Sequence, residues 1–420
     1  CNKLNYDINN TSANVLFCIG TIADMAPLKG ANRKWLKEYL PNIKSTNNIG
    51  IRSIINKLSI DNFDITAEDI GYRIAPLINA VGRIGDPNLI VDLFTNKSQE
   101  SVNKITKECF ALNRERKRIT TLIQHEAFEI AISEYKTNRK FLVLAKREWH
   151  LGVIGIVAAR IVDNFNLPTA LLAEAKDGIF RGSIRSNNKL NVKLALDECK
   201  DLLVSYGGHS SAAGFSVKDK NISYLRERLD NIARREFKDI DLNKSIKPDA
   251  YLSLGEINHE LYKQICLIGP FGMMNPAPVF WTRGCKILDI FKLKGDHFRM
   301  ILDDGTSSIA AIKWNGLFKF KRNDLVDIAY CIEINKWNKK NNLQINLIDI
   351  KKHQHISDII LHRHVYKCQL IENEEILVTN KKGQCFSSDL SISTDNLNEK
   401  QKIFAKKILT YAEVALGIAA

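Results

Sequence analysis

The chain has 420 residues, too many for one ordinary core, and about two to four domains are expected. With 45% hydrophobic and 26% charged residues it has the composition of a soluble globular protein, and no apolar run approaches the length of a membrane span. Its formal charge of +14 favours a polyanionic partner, nucleic acid before membrane.

The chain opens on Cys1 rather than methionine, shows no signal peptide, and is expected to be a fragment lacking its natural start. Nine cysteines include no C-x-x-C pair, so neither a zinc site nor a disulfide framework is indicated and a reducing cytoplasm is the simpler expectation. Residues 1–97 read as the end of a first α/β domain. In it an apolar run, 13–19, leads into Gly20-Thr21-Ile22-Ala23-Asp24-Met25-Ala26-Pro27-Leu28. A carboxylate among small apolar residues is unusual in a surface loop. In a core it needs a metal, an arginine or backbone amides, the plainer alternative being a helix or turn cap. The strip 72–83 carries Asn79 and Arg83, which could order phosphates or, in a core loop, satisfy backbone groups. Residues 98–135 have helical periodicity with neither Pro nor Gly. They predict a long connecting helix whose Lys104, Lys107, Arg114, Arg116, Lys117 and Arg118 form a solvated face.

Residues 136–240 read as a second α/β domain. The run 141–145 has buried-strand length, Lys146-Arg147-Glu148-Trp149-His150 follows, and 151–162 predicts a helix opening at Gly152 and Gly155. Strand, glycine loop and helix N-terminus together favour an anion through free amides and the helix dipole. Strands are predicted at 169–173 and 179–184. Alternation puts Arg181, Ser183 and Arg185 on one face, where guanidinium forks match phosphate oxygens. A helical run, 190–204, then leads into Gly207-Gly208-His209-Ser210-Ser211-Ala212-Ala213-Gly214, read as a helix-to-strand turn. Its glycines let amides approach an anion, with His209 and Ser210 as side-chain donors, although a lone Gly-Gly-His is as readily a structural turn. A helix at 222–237 closes the region.

Residues 245–352 begin with a polar linker and Gly269-Pro270-Phe271-Gly272-Met273-Met274-Asn275-Pro276. Five strands of a small barrel are predicted at 285–293, 297–302, 308–314, 326–334 and 343–349, separated by hairpin signals. Phe291, Phe298, Trp314, Phe318, Phe320 and Trp337 include candidates to stack the bases of a single strand, with some of them in the barrel core. Residues 353–420 read as a C-terminal tail region. Its His353, His355, His362 and His364 lack acidic or thiol ligands at fixed spacing and are expected at the surface.

The pattern E-W-H-x-G-x-x-G-I-x-A-x-R at 148–160, G-S-x-R-S at 182–186 and G-G-H-x-x-A-A-G at 207–214 resembles the DHH-associated domain of the RecJ family, bacterial 5′-to-3′ exonucleases specific for single-stranded DNA. T-I-A-D-x-x-P-L at 21–28, I-x-P-x-x-N-A-x-G-R at 74–83 and G-P-F-G-x-x-N-P-x-P-x-F at 269–280 extend the resemblance. It implies an α/β chain made of the C-terminal part of a DHH-type domain, a long linking helix, an α/β DHH-associated domain and an OB-fold barrel. The implied activity is hydrolysis of single-stranded DNA with Mn2+ or Mg2+, in repair and recombination, with a single-strand-binding protein and a helicase as candidate partners. By resemblance Asp24 is a catalytic metal ligand. Asn79, Arg83, His150, Arg160, Ser183, Arg185, Gly207, Gly208 and His209 receive the 5′-phosphate and DNA, and Phe291, Phe298, Trp314 and Trp337 stack bases. Leu77 stands where the family pattern has arginine, which weakens the case for a second phosphate contact there.

Hard divalent cations need several oxygen ligands, and two-metal hydrolysis needs more carboxylates still. The chain contains no Asp-His-His, and its D-x-D, Asp239 and Asp241, falls beyond the Gly-Gly-His domain. The expectation is an exonuclease fragment with little activity of its own if residues before Cys1 hold the missing motifs. A catalytically inactive single-stranded-DNA-binding homologue is the alternative. A phosphodiesterase for small dinucleotides is disfavoured, because such substrates need no stacking barrel.

Overall fold

A computed structural model describes residues 12–60, 65–187, 190–237, 246–293, 297–314, 319–335, 342–353, 356–362, 364–371, 375–388 and 399–416. They fall into two compact units, one within Cys1–Ser245 with Pro270–Asn275, the other within Ile246–Gly269 with Pro276–Ala420.

The first unit begins with helices α1 (Ser12–Ala23), α2 (Gly30–Tyr39), α3 (Ile49–Lys57), α4 (Ala67–Asp69), α5 (Ala75–Ile84), α6 (Asn88–Thr95) and α7 (Gln99–Lys136). Among the described residues the first 97 therefore contribute helices only. Val102, Thr106, Cys109, Asn113, Thr120, Ile123, Ala127 and Ala131 are the buried residues of α7, at steps of three, four and seven. Such spacing keeps one stripe inward along the helix. Val102 and Cys109 pack in the helical core, whereas Ile123, Ala127 and Ala131 pack in the next one, so one helix serves two cores.

That second core is built on β1 (Leu142–Ala145), β2 (Thr169–Lys176), β3 (Ile179–Arg185), β4 (Leu203–Gly208) and β5 (Ala212–Lys218), in the order β1-β2-β3-β5-β4. Only the β1–β2 pair is parallel. Helix α8 (Leu151–Phe165) and the end of α7 cover one face. Helices α9 (Val192–Asp197) and α10 (Ile222–Glu236) cover the other, where Leu225 and Leu229 meet Phe180, Ile184 and Phe215.

The helical run expected over 190–204 is corrected. Helix α9 ends at Asp197, one 3-10 turn covers Lys200–Leu202, and Leu203–Gly208 is an edge strand. The outer edge of β5 supplies backbone partners from nine or more residues downstream for most of that strand, a pairing that local periodicity does not register. Gly207-Gly208-His209 consequently belongs to a β-hairpin rather than a helix-to-strand turn.

In the second unit β7 (Phe280–Leu293), β8 (His297–Asp303), β9 (Ser308–Lys313), β10 (Leu325–Asn335) and β11 (Asn342–Lys352) form a closed barrel in the order β7-β8-β9-β11-β10, with β10 returning to β7. This is the expected OB-fold. The short strand β6 (Ala250–Tyr251) pairs with β7 in parallel, and α11 (His259–Leu267) lies between them in the chain. Cys285, Ile287, Met300, Leu302, Ala311 and Tyr330 are buried inside it, and the Tyr330 hydroxyl lies 3.0 Å from Thr282 Oγ1.

The region expected to be a tail carries structure of its own. A sheet of β12 (Ile356–Leu361), β13 (His364–Leu370), β14 (Ile376–Asn380) and β15 (Cys385–Ser387) packs against α12 (Glu399–Leu416) through Ile359, Cys368, Val378, Ile408 and Ala412. His353, expected at the surface, is half-buried instead, its ring enclosed with Nδ1 2.6 Å from Asp327 Oδ1. His362 stacks on Phe404, while His355 lies outside the described residues.

Candidate functional site

Asp24 follows the last residue of α1, its amide donating to Gly20 O at 3.0 Å. Its side chain is exposed, so burial places no demand for a partner on it, contrary to the core setting considered from sequence. A carboxylate there sits at the negative pole of the helix, a position that favours a nearby cation. Helix α5 presents two faces: Leu77, Ala80 and Val81 are buried, which turns Asn79, Gly82 and Arg83 outward. Asn79 Nδ2 donates to Ala23 O at 3.4 Å, tying α5 to the end of α1. Asp24, Asn79, Gly82 and Arg83 thereby line one depression of about 580 Å³.

Arg83 leads from this depression to the sheet. Its Nη1 donates to Gly152 O at 3.2 Å, and a Cβ at Gly152 would overlap the Arg83 carbonyl, so only glycine lets α5 and α8 approach this closely. His150 caps α8: its Nδ1 accepts from Gly152 N at 3.1 Å, which leaves the proton of a neutral ring on Nε2 as a donor. Further along α8, a Cβ at Gly155 would lie 2.8 Å from Ser183 Oγ and 3.0 Å from Arg185 Nη2. The second glycine makes room for the predicted clamp. Phe180, Gly182 and Ile184 point into the core, leaving Arg181, Ser183 and Arg185 on the opposite face, as the alternation predicts. Arg185 Nη1 donates to Ser183 Oγ at 3.1 Å.

Strand register brings the Gly-Gly-His hairpin beside this clamp. Ser183 pairs with Gly214 and Gly214 with Gly207, a row that carries no Cβ past the serine. Arg185 pairs with Ala212, whose carbonyl accepts from His209 N at 2.8 Å. Gly208 has φ +146°, and a Cβ there would lie 2.5 Å from Ala212 O.

The structure adds a residue that the sequence placed on a solvated face. Arg116 is half-buried, and its Nε and Nη2 both donate to Asn113 Oδ1, at 3.2 and 2.8 Å. Burial first, then the charges of Arg83 and Arg160, hold its guanidinium below the usual arginine range. Burial and then Arg83 do the same to Arg185. Arg160 donates to Gln124 on α7. Four guanidiniums thus crowd one region, and an arginine keeps its charge even so. The sequence held one signal for this, an amide, Asn113, on a buried stripe of α7 whose other polar members are the threonines Thr106 and Thr120.

Mn2+ or Mg2+ fits these residues poorly. Among the described residues no three His, Cys, Asp or Glu side chains come together to hold an ion, and Asp24 offers one carboxylate. No step through a metal is therefore assigned to them.

In the barrel, alternation separates the predicted stacking residues. Phe298 shares its face of β8 with the buried Met300 and Leu302. Phe291 pairs with Arg299 on the outer face, with the guanidinium 5.9 Å from the ring centroid. Trp314, directly after β9, meets His297 edge-on at 5.0 Å. Phe291 is 44% and Trp314 45% exposed, so both leave ring surface open. Trp337 lies outside the described residues.

Residues 138–235 match the DHHA1 domain and residues 248–349 the RecJ OB domain. The single-stranded-DNA-specific exonuclease RecJ of Bacillus subtilis (strain 168) is 30% identical over 343 residues, covering 80% of this chain and 43% of its own. The chain is RecJ-like. RecJ from Thermus thermophilus in complex with Mg2+ is similar in structure at a TM-score of 0.69 and 26% identity, covering 81% of this chain and 52% of that one. The same RecJ in complex with Mn2+ gives a TM-score of 0.69 and 27% identity, over 81% and 50%. The chain spans about half the length of these RecJ relatives. Within it, the DHHA1 match holds Ser183, Arg185 and the Gly-Gly-His hairpin, and the RecJ OB match holds the closed barrel.

Proposed function

We propose that this RecJ-like chain grips the 5′-phosphorylated end of single-stranded DNA for exonucleolytic hydrolysis in the 5′-to-3′ direction. Arg185, hydrogen-bonded to Ser183 beside a Cβ-free strand edge and near the positive charge of Arg83, carries the reading, with Arg83 and Arg160 in turn near Arg116. Guanidiniums crowded in this way repel one another, and a terminal phosphate monoester, with more charge than an internal diester, relieves that repulsion. Arg185 supplies a planar fork, Ser183 a hydroxyl, His150 the Nε2 proton, and the hairpin of Gly207, Gly208 and His209 a close backbone approach. Asn79 steadies the end of α1, and Asp24 contributes one carboxylate toward a divalent ion. RecJ relatives are known with Mg2+ and with Mn2+, which supports divalent-metal use by the whole protein. Phe291 and Trp314 offer ring faces to the bases of the strand.

Fluorescence anisotropy with 5′-phosphorylated and 5′-hydroxyl oligonucleotides tests the grip. The chain should prefer the phosphorylated end, and Arg185→Lys should remove that preference while leaving general strand binding nearly intact. Each lost charge-assisted bond costs about 1.5–3 kcal/mol, roughly one to two powers of ten in affinity. Equal affinity for the two ends, unchanged in Arg185→Lys, would return the Gly-Gly-His hairpin to a purely structural turn.

A further inference from the structure

A second polar groove, of about 650 Å³, lies between α3 and the first turns of α7. Helix α3 contributes Arg52, Asn56 and Lys57, and α7 contributes Gln99, Asn103 and Lys107. No carboxylate lines it. Among the described residues Arg52, Lys57 and Lys107 make no ion pair, whereas Arg118, Arg228 and Arg235 are matched by Glu115, Asp201 and Glu198. The groove is also partly pre-arranged. Thr106 Oγ1 donates to Val102 O at 2.8 Å, so it accepts from Ser53 Oγ at 2.9 Å and joins the two helices. Gln99 Nε2 donates to Asn103 Oδ1 at 3.0 Å, which leaves the Asn103 amide hydrogens as donors. The Lys57 ammonium lies 5.1 Å from the centroid of the Phe110 ring, a cation–π contact that limits its wandering.

Such a groove is rich in donors and carries three uncompensated positive charges. The complementary ligand is an acceptor-rich anion, and phosphate is the one that ammonium and guanidinium groups match best. Its volume is that of a small-molecule site. It is separate from the arginine cluster: Lys107 and Arg116 are nine residues apart on α7, which at about 100° per residue puts them on opposite sides of the helix. We infer that the α3–α7 groove binds a nucleotide phosphate ester, either of a free mononucleotide or of a DNA strand.

The test uses the full chain carrying Arg185→Lys, so that the grip proposed above does not mask the groove, and calorimetric titration with 2′-deoxyadenosine 5′-monophosphate. The nucleotide should bind in this background, and adding Lys57→Ala with Lys107→Ala should weaken it roughly tenfold or more, while Lys57→Arg with Lys107→Arg retains it. Both lysines are exposed, and circular dichroism checks that the fold is kept. Displacement by a 5′-hydroxyl oligothymidylate assigns the groove to the strand, and lack of displacement assigns it to the free nucleotide. No binding in the Arg185→Lys background, or binding indifferent to the two lysines, overturns the inference. A failure of the 5′-phosphate grip shows separately, as an Arg185→Lys chain that behaves like the wild type toward the two oligonucleotide ends.

Discussion

Arg116 and Arg118 show how far one residue's role depends on what it touches. They are two positions apart on α7 and indistinguishable in the sequence. Arg118 extends into solvent and forks onto Glu115 at 2.9 and 2.7 Å. Arg116 turns inward onto Asn113, close enough to Arg83 and Arg160 to feel their charge. Arg116→Ala should therefore weaken binding of a 5′-phosphorylated oligonucleotide roughly tenfold or more, through one lost charge-assisted contact. It also strips the buried Asn113 of its donor, which costs about 1–3 kcal/mol of stability. Arg118→Ala, the control, should leave both the stability and the affinity nearly unchanged. Titrations of the two variants under conditions where both are folded decide this; equal effects would remove Arg116 from the grip.

Elements are held together by contacts of the same kind. In the barrel unit Asp327 on β10 is buried and accepts from Gly284 N of β7 at 3.0 Å and from His353 just past β11 at 2.6 Å. One carboxylate thus pins three strands. Asp327→Ala removes the partner of a buried imidazole and the acceptor of a backbone amide together. A loss of about 1–3 kcal/mol is expected for leaving an enclosed donor unsatisfied, read as a lower denaturant midpoint of the barrel transition. Asp327→Asn keeps an acceptor for Gly284 and should cost less. If Asp327→Ala unfolds at the wild-type midpoint, the latch contributes nothing. From sequence, His353 was one of four histidines with no distinguishing neighbour. Asp327, 26 residues earlier, becomes its neighbour only when the barrel closes.

At the scale of the whole molecule the +14 charge and the barrel lead to linked expectations. Affinity should be higher for single-stranded than for duplex DNA and should fall steeply with salt, since each neutralised phosphate releases counterions. Trp314→Ala should weaken binding by about 1–3 kcal/mol, alike for phosphorylated and hydroxyl ends, because stacking ignores the terminus. A titration series in increasing salt, with both kinds of DNA, reads these effects; affinity indifferent to salt and strandedness would sink the barrel's assignment. Supplied with Mn2+ or Mg2+, the chain by itself should digest DNA at no more than trace rates, because Asp24 is one carboxylate where several are needed. Robust digestion that disappears on Asp24→Ala would reveal ligands beyond the described residues.

The sequence by itself determined whatever depends on neighbours along the chain. Residues 98–135 carry an uninterrupted 3.6-residue stripe, and a helix over Gln99–Lys136 follows from it. The barrel strands alternate between short hairpin signals, and the observed strands lie within a few residues of the predicted ones, apart from an earlier start to β7. The motifs around Asp24, Asn79, Ser183, Arg185 and Gly207 were legible as motifs, through their resemblance to the RecJ family. Only the tertiary structure decided which of them meet. Strand β4 forms because β5 offers a free edge, the glycine row beside Ser183 exists only in the register of three strands, and Arg83 meets α8 because Gly152 lets two helices touch. Arg116, His353 and the α3–α7 groove acquire their surroundings from residues distant in sequence. Periodicity reports which side of an element faces inward, but not which partner waits there, and burial, charge repulsion and hydrogen bonding are properties of the pair.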